Sequence, residues 1–342
     1  MEVYIKQSTP PEYIAELRLT LLEKIATVPF GALFKGVFDK NPNEQFAVKQ
    51  ITVQEEKLAY YYREVIISAY ACDTIRDNAL HITCPEDYTV KADWLGTVFT
   101  GYLAYPLYNF GMLSNANIAL YISKQSIAEQ ATFMLQLVKT LQLLHKNGIA
   151  HGNITLDNVL VRQEQRRKLV PYLSDFGLAC IADWKRTSLE TWLTTTNTYP
   201  SVPRDVLRCL PDNVVDLSWT QRDNRIDRTL LPPTSFFYIV VADDVYSLSI
   251  VYTHILTLNS IVRELFERDK LDETVGLYIS FSPSSFQLDV WGDVYRQVLD
   301  QQLGTLEFVD FLLQWLTVRE GDTVYTVTLD AVQEFLQKLQ KT

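Results

Sequence analysis

The tightest constraint on this chain is the run from Ser126 to Gly177, where a long capped helix, a polar loop and a short hairpin follow in close order. Ser126 and Glu129 stand at capping-box spacing. Ile127, Phe133, Leu137, Leu141 and Leu144 recur near the helical repeat, which predicts a helix over 126–146 ending at Asn147-Gly148. The stretch His151-Gly152-Asn153-Ile154-Thr155-Leu156-Asp157-Asn158 comes next. Val159 to Val161 and Leu169 to Ser174 then read as two short strands joined by a polar turn. Asp175-Phe176-Gly177 closes the run, seventeen residues after Asn158.

Upstream, Thr9-Pro10-Pro11-Glu12 has the spacing of another capping box and predicts a short helix before Leu19. From Leu19 to Phe38, and again from Gln45 to Ile51, apolar and β-branched residues surround the turn signals of Asp39-Lys40-Asn41-Pro42-Asn43. Adjacent antiparallel strands are expected there, followed by a helix over 54–71. Downstream of Asp244 the pattern is mainly helical, at Val245–Leu256, Ile261–Glu267, Val290–Gln302, Leu306–Leu316 and Leu329–Leu339. A strand-rich first third and a helical remainder make the fold class α+β.

Composition narrows the function. With 31 basic against 41 acidic residues the formal charge is −10, which argues against a nucleic-acid or anionic-membrane surface while leaving room for a local phosphate site. Cys72, Cys84, Cys180 and Cys209 lack C-x-x-C spacing, so a reducing, cytoplasmic setting without a zinc site is expected. Residues 1–7 lack a basic-then-apolar leader pattern. The strongest apolar run, Phe236–Ala242, is too short to span a bilayer.

The loop at 151–158 and the Asp-Phe-Gly after it resemble the catalytic and metal-binding loops of a eukaryotic-type protein kinase, H-R-D-L-x-x-x-N and D-F-G. Three further stretches carry the same resemblance. Phe46-Ala47-Val48-Lys49 is similar to the V-A-I-K strand, with Glu64 as ion-pair partner on the following helix and Glu55 and Glu56 as competitors. Asp243-Asp244-Val245-Tyr246-Ser247-Leu248 resembles the start of the central helix whose Asp, here Asp244, braces the catalytic loop in the family. Tyr102 to Tyr108 resembles the last small-lobe strand entering the hinge.

The resemblance implies a bilobal fold over roughly residues 19–339: an N-terminal helical extension at 1–18, a small antiparallel lobe with helix C at 19–107 and a larger helical lobe at 108–342. It also implies ATP bound with Mg²⁺. Lys49 and Glu64 would serve the phosphates, Asn158 and Asp175 the metal, and Gly31 the phosphate-covering loop. Ala47 and Leu160 would sandwich adenine, with main-chain groups near Pro106 and Tyr108 beside it.

The departures point one way. Asn153 occupies the catalytic-base position, and a neutral amide has essentially no basicity near pH 7. Losing a positioned base costs about 10²–10⁴ in rate. Gly152 replaces an arginine that reads activation-segment phosphate in many kinases, and Thr155 replaces a charge-neutralising lysine. At the phosphate-covering loop Ala26, Val28 and Gly31 align with three glycines, and Val28-Pro29 stiffens the segment. The pseudokinase domains of Janus kinases also carry a His-Gly-Asn loop.

Sixty-eight residues separate Asp175 from Asp244, longer than the usual activation segment, so the stretch 176–243 is expected to be locally structured or functional. With Trp184, Trp192 and Trp219 it packs either on its own large lobe or as a partner-binding or site-occluding element. Val202-Pro203-Arg204 and Pro232-Pro233-Thr234 are both candidates for the A-P-E landmark. The expected function is that of a nucleotide-binding regulatory or scaffolding pseudokinase with an unidentified protein partner. The alternatives are an atypical low-activity Ser/Thr protein kinase, with Asp157 as a conceivable stand-in base, and a nucleotide-free interaction scaffold.

Overall fold

The computed structural model describes residues 11–28, 30–165, 168–196, 204–209, 233–267, 311, 319–320, 323–324 and 327–341. Its first third is organised around a six-stranded antiparallel sheet built from β1 (Glu12–Ile14), β2 (Leu19–Val28), β3 (Gly31–Phe38), β4 (Asn41–Gln54), β5 (Asp87–Ala92) and β6 (Val98–Pro106), in the order β1-β2-β3-β4-β6-β5. Strand β3 shows why it forms. Ala32, Phe34 and Phe38 alternate inward and meet Leu19, Leu21, Val48 and Ala104 in one apolar cluster. Helix α1 (Leu58–Thr74) crosses between β4 and β5 after a 3₁₀ turn at Glu55–Lys57.

The helical region begins with the short strand β7 (Gly111–Met112), then α2 (Ala116–Ser123) and α3 (Ile127–Lys146). The capping box of α3 forms as expected, with the Ser126 hydroxyl accepting from the Glu129 amide and Glu129 reaching back to the Ser126 amide. Strand β8 (Ile149–Ala150) precedes the polar loop, and β9 (Val159–Gln163) with β10 (Leu169–Leu173) makes the expected hairpin. Beyond Asp175 come β11 (Cys180–Ile181), α4 (Arg186–Thr196), α5 (Pro233–Glu267), the two-residue strands β12 (Arg319–Glu320) and β13 (Thr323–Val324), and α6 (Leu329–Leu339). In α6, Leu329, Val332, Phe335, Leu336 and Leu339 fall on one stripe and pack on α3 and α5.

One continuous core joins the two regions. Ile66, Ile67 and Tyr70 of α1 share it with Leu137 and Leu141 of α3, and with Phe176. The sheet and helices therefore meet along α1, and the cleft beside it holds the polar loop.

Four expectations need correction. The short helix before Leu19 is reduced to a single 3₁₀ turn, Ala15–Leu17, over the described part: residues 12–14 extend and pair with Leu19–Leu21, while 1–10 lie outside the described residues. The cysteines are not free thiols, since Cys72 bonds Cys84 and Cys180 bonds Cys209, which removes the basis of the cytoplasmic expectation. The apolar run does not stop at Ala242. Phe236–Leu256, 21 residues of α5, is long and apolar enough to cross a membrane by length and composition, and 82% of its most apolar window is buried inside the molecule. A helix enclosed on all sides has that composition without a bilayer.

The fourth correction concerns the long connection. Trp192 of α4 meets the Tyr70 ring at 5.4 Å and donates to the Asp73 carboxylate of α1 at 3.3 Å, while Arg63 of α1 donates to the Val206 carbonyl at 2.6 Å. The described part of 176–243 thus leans on α1 rather than on the large lobe alone. Trp219, Val202-Pro203, Pro232 and the helix expected over 290–302 lie outside the described residues, as does all of 306–316 except Phe311.

Candidate functional site

Lys49 sits in β4, paired opposite Leu103 of β6, and points into the cleft with only 8% of its surface exposed. A buried ammonium needs acceptors, and it has two carboxylates: Glu64 of α1 at 2.9 Å and Asp175 at 3.0 Å. Glu55 is exposed, and the helix carboxylate in contact with Lys49 is that of Glu64. The other oxygen of Glu64 accepts from the Tyr105 hydroxyl of β6 at 2.9 Å. Burial pushes the Glu64 carboxyl up to about 8 against the opposing pull of Lys49. Burial also works to raise Asp175, but the Lys49 charge first of all, then hydrogen bonding from the neighbouring Glu64 and Tyr60, outweighs it and holds that carboxyl well below the usual range.

The polar loop is fixed from behind. Asp244, fully buried in α5, accepts from the backbone amides of His151 and Gly152 at 2.8 Å each, and its Oδ2 also lies 2.8 Å from His145 Nε2. His151 Nδ1 accepts from the Asn153 amide at 3.2 Å, which leaves Nε2 to carry the proton toward the Ser174 carbonyl at 3.1 Å. Burial lowers its pKa, which favours that neutral form. Gly152 has φ +71°, and a Cβ there would lie 2.9 Å from the Leu178 carbonyl oxygen, so glycine suits the site better than the arginine of the kinase pattern.

At the front of the loop, Asn153 turns its side chain toward the metal-ligand candidate: Nδ2 donates to Asp175 Oδ2 at 3.1 Å. Asn158 Nδ2 donates to the Asn153 carbonyl at 2.9 Å, which leaves the Asn158 amide oxygen as its available acceptor. Asp175 itself has φ +67°, an uncommon backbone for aspartate, and Phe176 behind it packs edge-on to His151 at 4.8 Å.

These groups line a cavity of about 380 Å³. Ala47, Leu33, Pro106, Met112 and Leu160 supply an apolar end, and Lys49, Asn153, Asn158 and Asp175 a polar one. Flat aromatic ligands suit the first and phosphate with a cation the second. Asn158 and Asp175 are oxygen donors of the kind Mg²⁺ takes from protein when phosphates complete its shell. Among the described residues no group of three or more His, Cys, Asp or Glu could hold a metal alone, so a cation here depends on the ligand.

The family model for protein tyrosine and serine/threonine kinases matches residues 19–197, more than half of the chain. This chain belongs to that kinase family. A protein kinase and PP2C-like domain-containing protein of Arabidopsis thaliana is 40% identical over 68 residues, which make up 20% of this chain and 10% of that relative. The kinase match ends just past α4, so the remainder of the chain is described from its structure alone.

Of the residues singled out from this kinase sequence, Lys49, Glu64, Ala47, Pro106, Asn158, Leu160, Asp175 and Asn153 meet at the cavity. Gly31 and Tyr108 do not line it. Gly31 starts β3 where a Cβ would collide with the Gln50 carbonyl, and the Tyr108 ring turns away onto Tyr172 at 4.8 Å. Sequence reasoning missed Thr83, Met112 and Ser174 in the wall, the Tyr105 bond to Glu64, and above all Tyr60, whose hydroxyl donates to Asp175. One signal was present: Tyr60 stands four residues before Glu64, one helical turn away on the same face.

Proposed function

We propose that this kinase-family chain is a pseudokinase that binds nucleotide in the cavity around Lys49 and acts through a protein partner, with little or no phosphotransfer. The observation carrying the reading is the Asn153 side chain, which spends its amide donor on Asp175 at 3.1 Å and offers no basic atom to an incoming hydroxyl. Adenine would lie between Ala47 and Leu160 with its edge at Pro106. Lys49, kept in reach by Glu64, would meet the phosphates, and Asn158 and Asp175 are the oxygen donors that any Mg²⁺ arriving with those phosphates would have to use to neutralise their charge.

Charge supports weak turnover as well. The wall carries one cation, Lys49, beside the acidic residues Glu64, Asp157 and Asp175, and Thr155 supplies no second positive group for a transferring phosphate. Occupancy would favour one arrangement of sheet and helices, which a partner would sense on α1 or α4. The assembled Lys49–Glu64 pair also supports a second reading, a slow Ser/Thr kinase, because it retains the phosphate-positioning groups.

Thermal melting with ATP tests the first reading. A ligand at 100 times its dissociation constant adds about 2.7 kcal/mol of stability, so a clear upward shift is expected with ATP and none with Lys49→Met. An unmoved melting point at millimolar ATP would leave the nucleotide-free scaffold as the better account.

A further inference from the structure

Asp175 is more heavily bonded than a waiting metal ligand needs to be. A carboxylate offers about four acceptor positions. Lys49 and the Tyr60 hydroxyl both fall on Oδ1, and Asn153 takes one position on Oδ2. With Oδ1 filled twice, a cation is left a single position on Oδ2, and the bidentate mode is closed.

Three features hold Tyr60 there. Its ring lies over Gly177, where any Cβ would collide with it. The Phe30 ring packs edge-on at 5.6 Å, from a residue with φ +63° whose carbonyl accepts from the Thr52 amide at 2.7 Å. Lys57 in turn lies 4.8 Å over the Phe30 ring. Helix α1, the turn before β3 and the Asp-Phe-Gly segment are thereby tied through one side chain.

We propose that Tyr60 is a positioning residue that latches Asp175 against divalent cations, so that this site takes a metal-free nucleoside or nucleotide in preference to the Mg²⁺–triphosphate complex. The inference rests on the nucleotide reading above and adds which charge state of ligand the site selects. A cation must displace the Tyr60 hydroxyl to chelate Asp175, whereas adenosine at the apolar end meets neither. Removing the hydroxyl while keeping the ring frees Oδ1 and leaves the packing on Phe30 in place.

The test compares the unaltered chain with Tyr60→Phe by calorimetric titration, using adenosine and using ATP in excess EDTA or excess MgCl₂. Adenosine affinity is expected to be equal in the two proteins. Mg²⁺ is expected to change ATP affinity little in the unaltered chain, and to tighten it about tenfold or more in Tyr60→Phe, the order of one hydrogen bond to a charged group. A merely structural tyrosine would move adenosine and ATP together. Equal Mg²⁺ enhancement in both proteins, with adenosine still bound, overturns the latch and spares the nucleotide reading. Binding of no ligand under any condition overturns the nucleotide reading itself. Should Tyr60→Phe fail to fold by circular dichroism, the unaltered chain decides: Mg²⁺ tightening ATP tenfold or more there contradicts the latch.

Discussion

The rear and the front of the 151–158 loop have been treated differently. At the rear, Asp244 meets two backbone amides and His145, and His151 uses both ring nitrogens, so the loop backbone is held by hydrogen bonds from behind. At the front, the side chain that would take a proton is an amide bonded to Asp175, and Tyr60 adds a second restraint on the same carboxylate. The difference teaches that the fold's demands and the chemistry's demands are separable. A buried acceptor behind the loop is enforced by stability, because losing it strands amides away from water, whereas a base at the tip is enforced only by turnover.

Breaking the rear should have the largest effect. Asp244→Ala leaves the His151 and Gly152 amides buried without an acceptor, and about 3–5 kcal/mol of unfolding free energy should disappear in urea titration. A loss under 1 kcal/mol would mean the loop is shaped by something else. The Cys180–Cys209 bond ties β11 to the residue after Arg208 next to the same loop, and Cys180→Ser with Cys209→Ser should cost about 2–4 kcal/mol in the same measurement. Insensitivity of the unaltered protein to reductant would argue that this bond does not form.

The front should respond more mildly and to pH. With the Glu64 carboxyl raised from 4.5 to about 8, the folded state holds a proton that the unfolded chain releases, so its contribution is full below about pH 4.5 and fades as pH rises through 8. Asp175, held low, acts in the opposite sense, its contribution being lost only as pH falls below the ordinary carboxylate range. Between pH 5 and 8 stability should therefore decline, and Glu64→Gln should flatten that slope. A slope unchanged by the substitution would assign the pH dependence to other groups.

How much of this was legible beforehand follows from how local each determinant is. The α3 cap, the β9–β10 hairpin and the Lys49, Asn158 and Asp175 positions are written in short stretches whose spacing carries the information. Residues 12–14 were misread because Thr9-Pro10-Pro11-Glu12 satisfies a helical cap locally, while the strand owes its state to pairing with Leu19–Leu21. The disulfides join cysteines 12 and 29 residues apart that only the folded chain brings together. Tyr60 looked like one of three consecutive tyrosines. Its role emerges when Asp175, 115 residues later, arrives beneath it.

The most direct measurement of the central claim is transfer of labelled γ-phosphate by the purified chain to a general protein substrate, alongside Lys49→Met and Asp175→Asn. The account predicts incorporation no greater than in the two altered proteins, with ATP nonetheless raising the melting point of the unaltered one. Rapid incorporation that vanishes with Asp175→Asn would contradict it, since an amide at position 153 would then have proved no obstacle to catalysis.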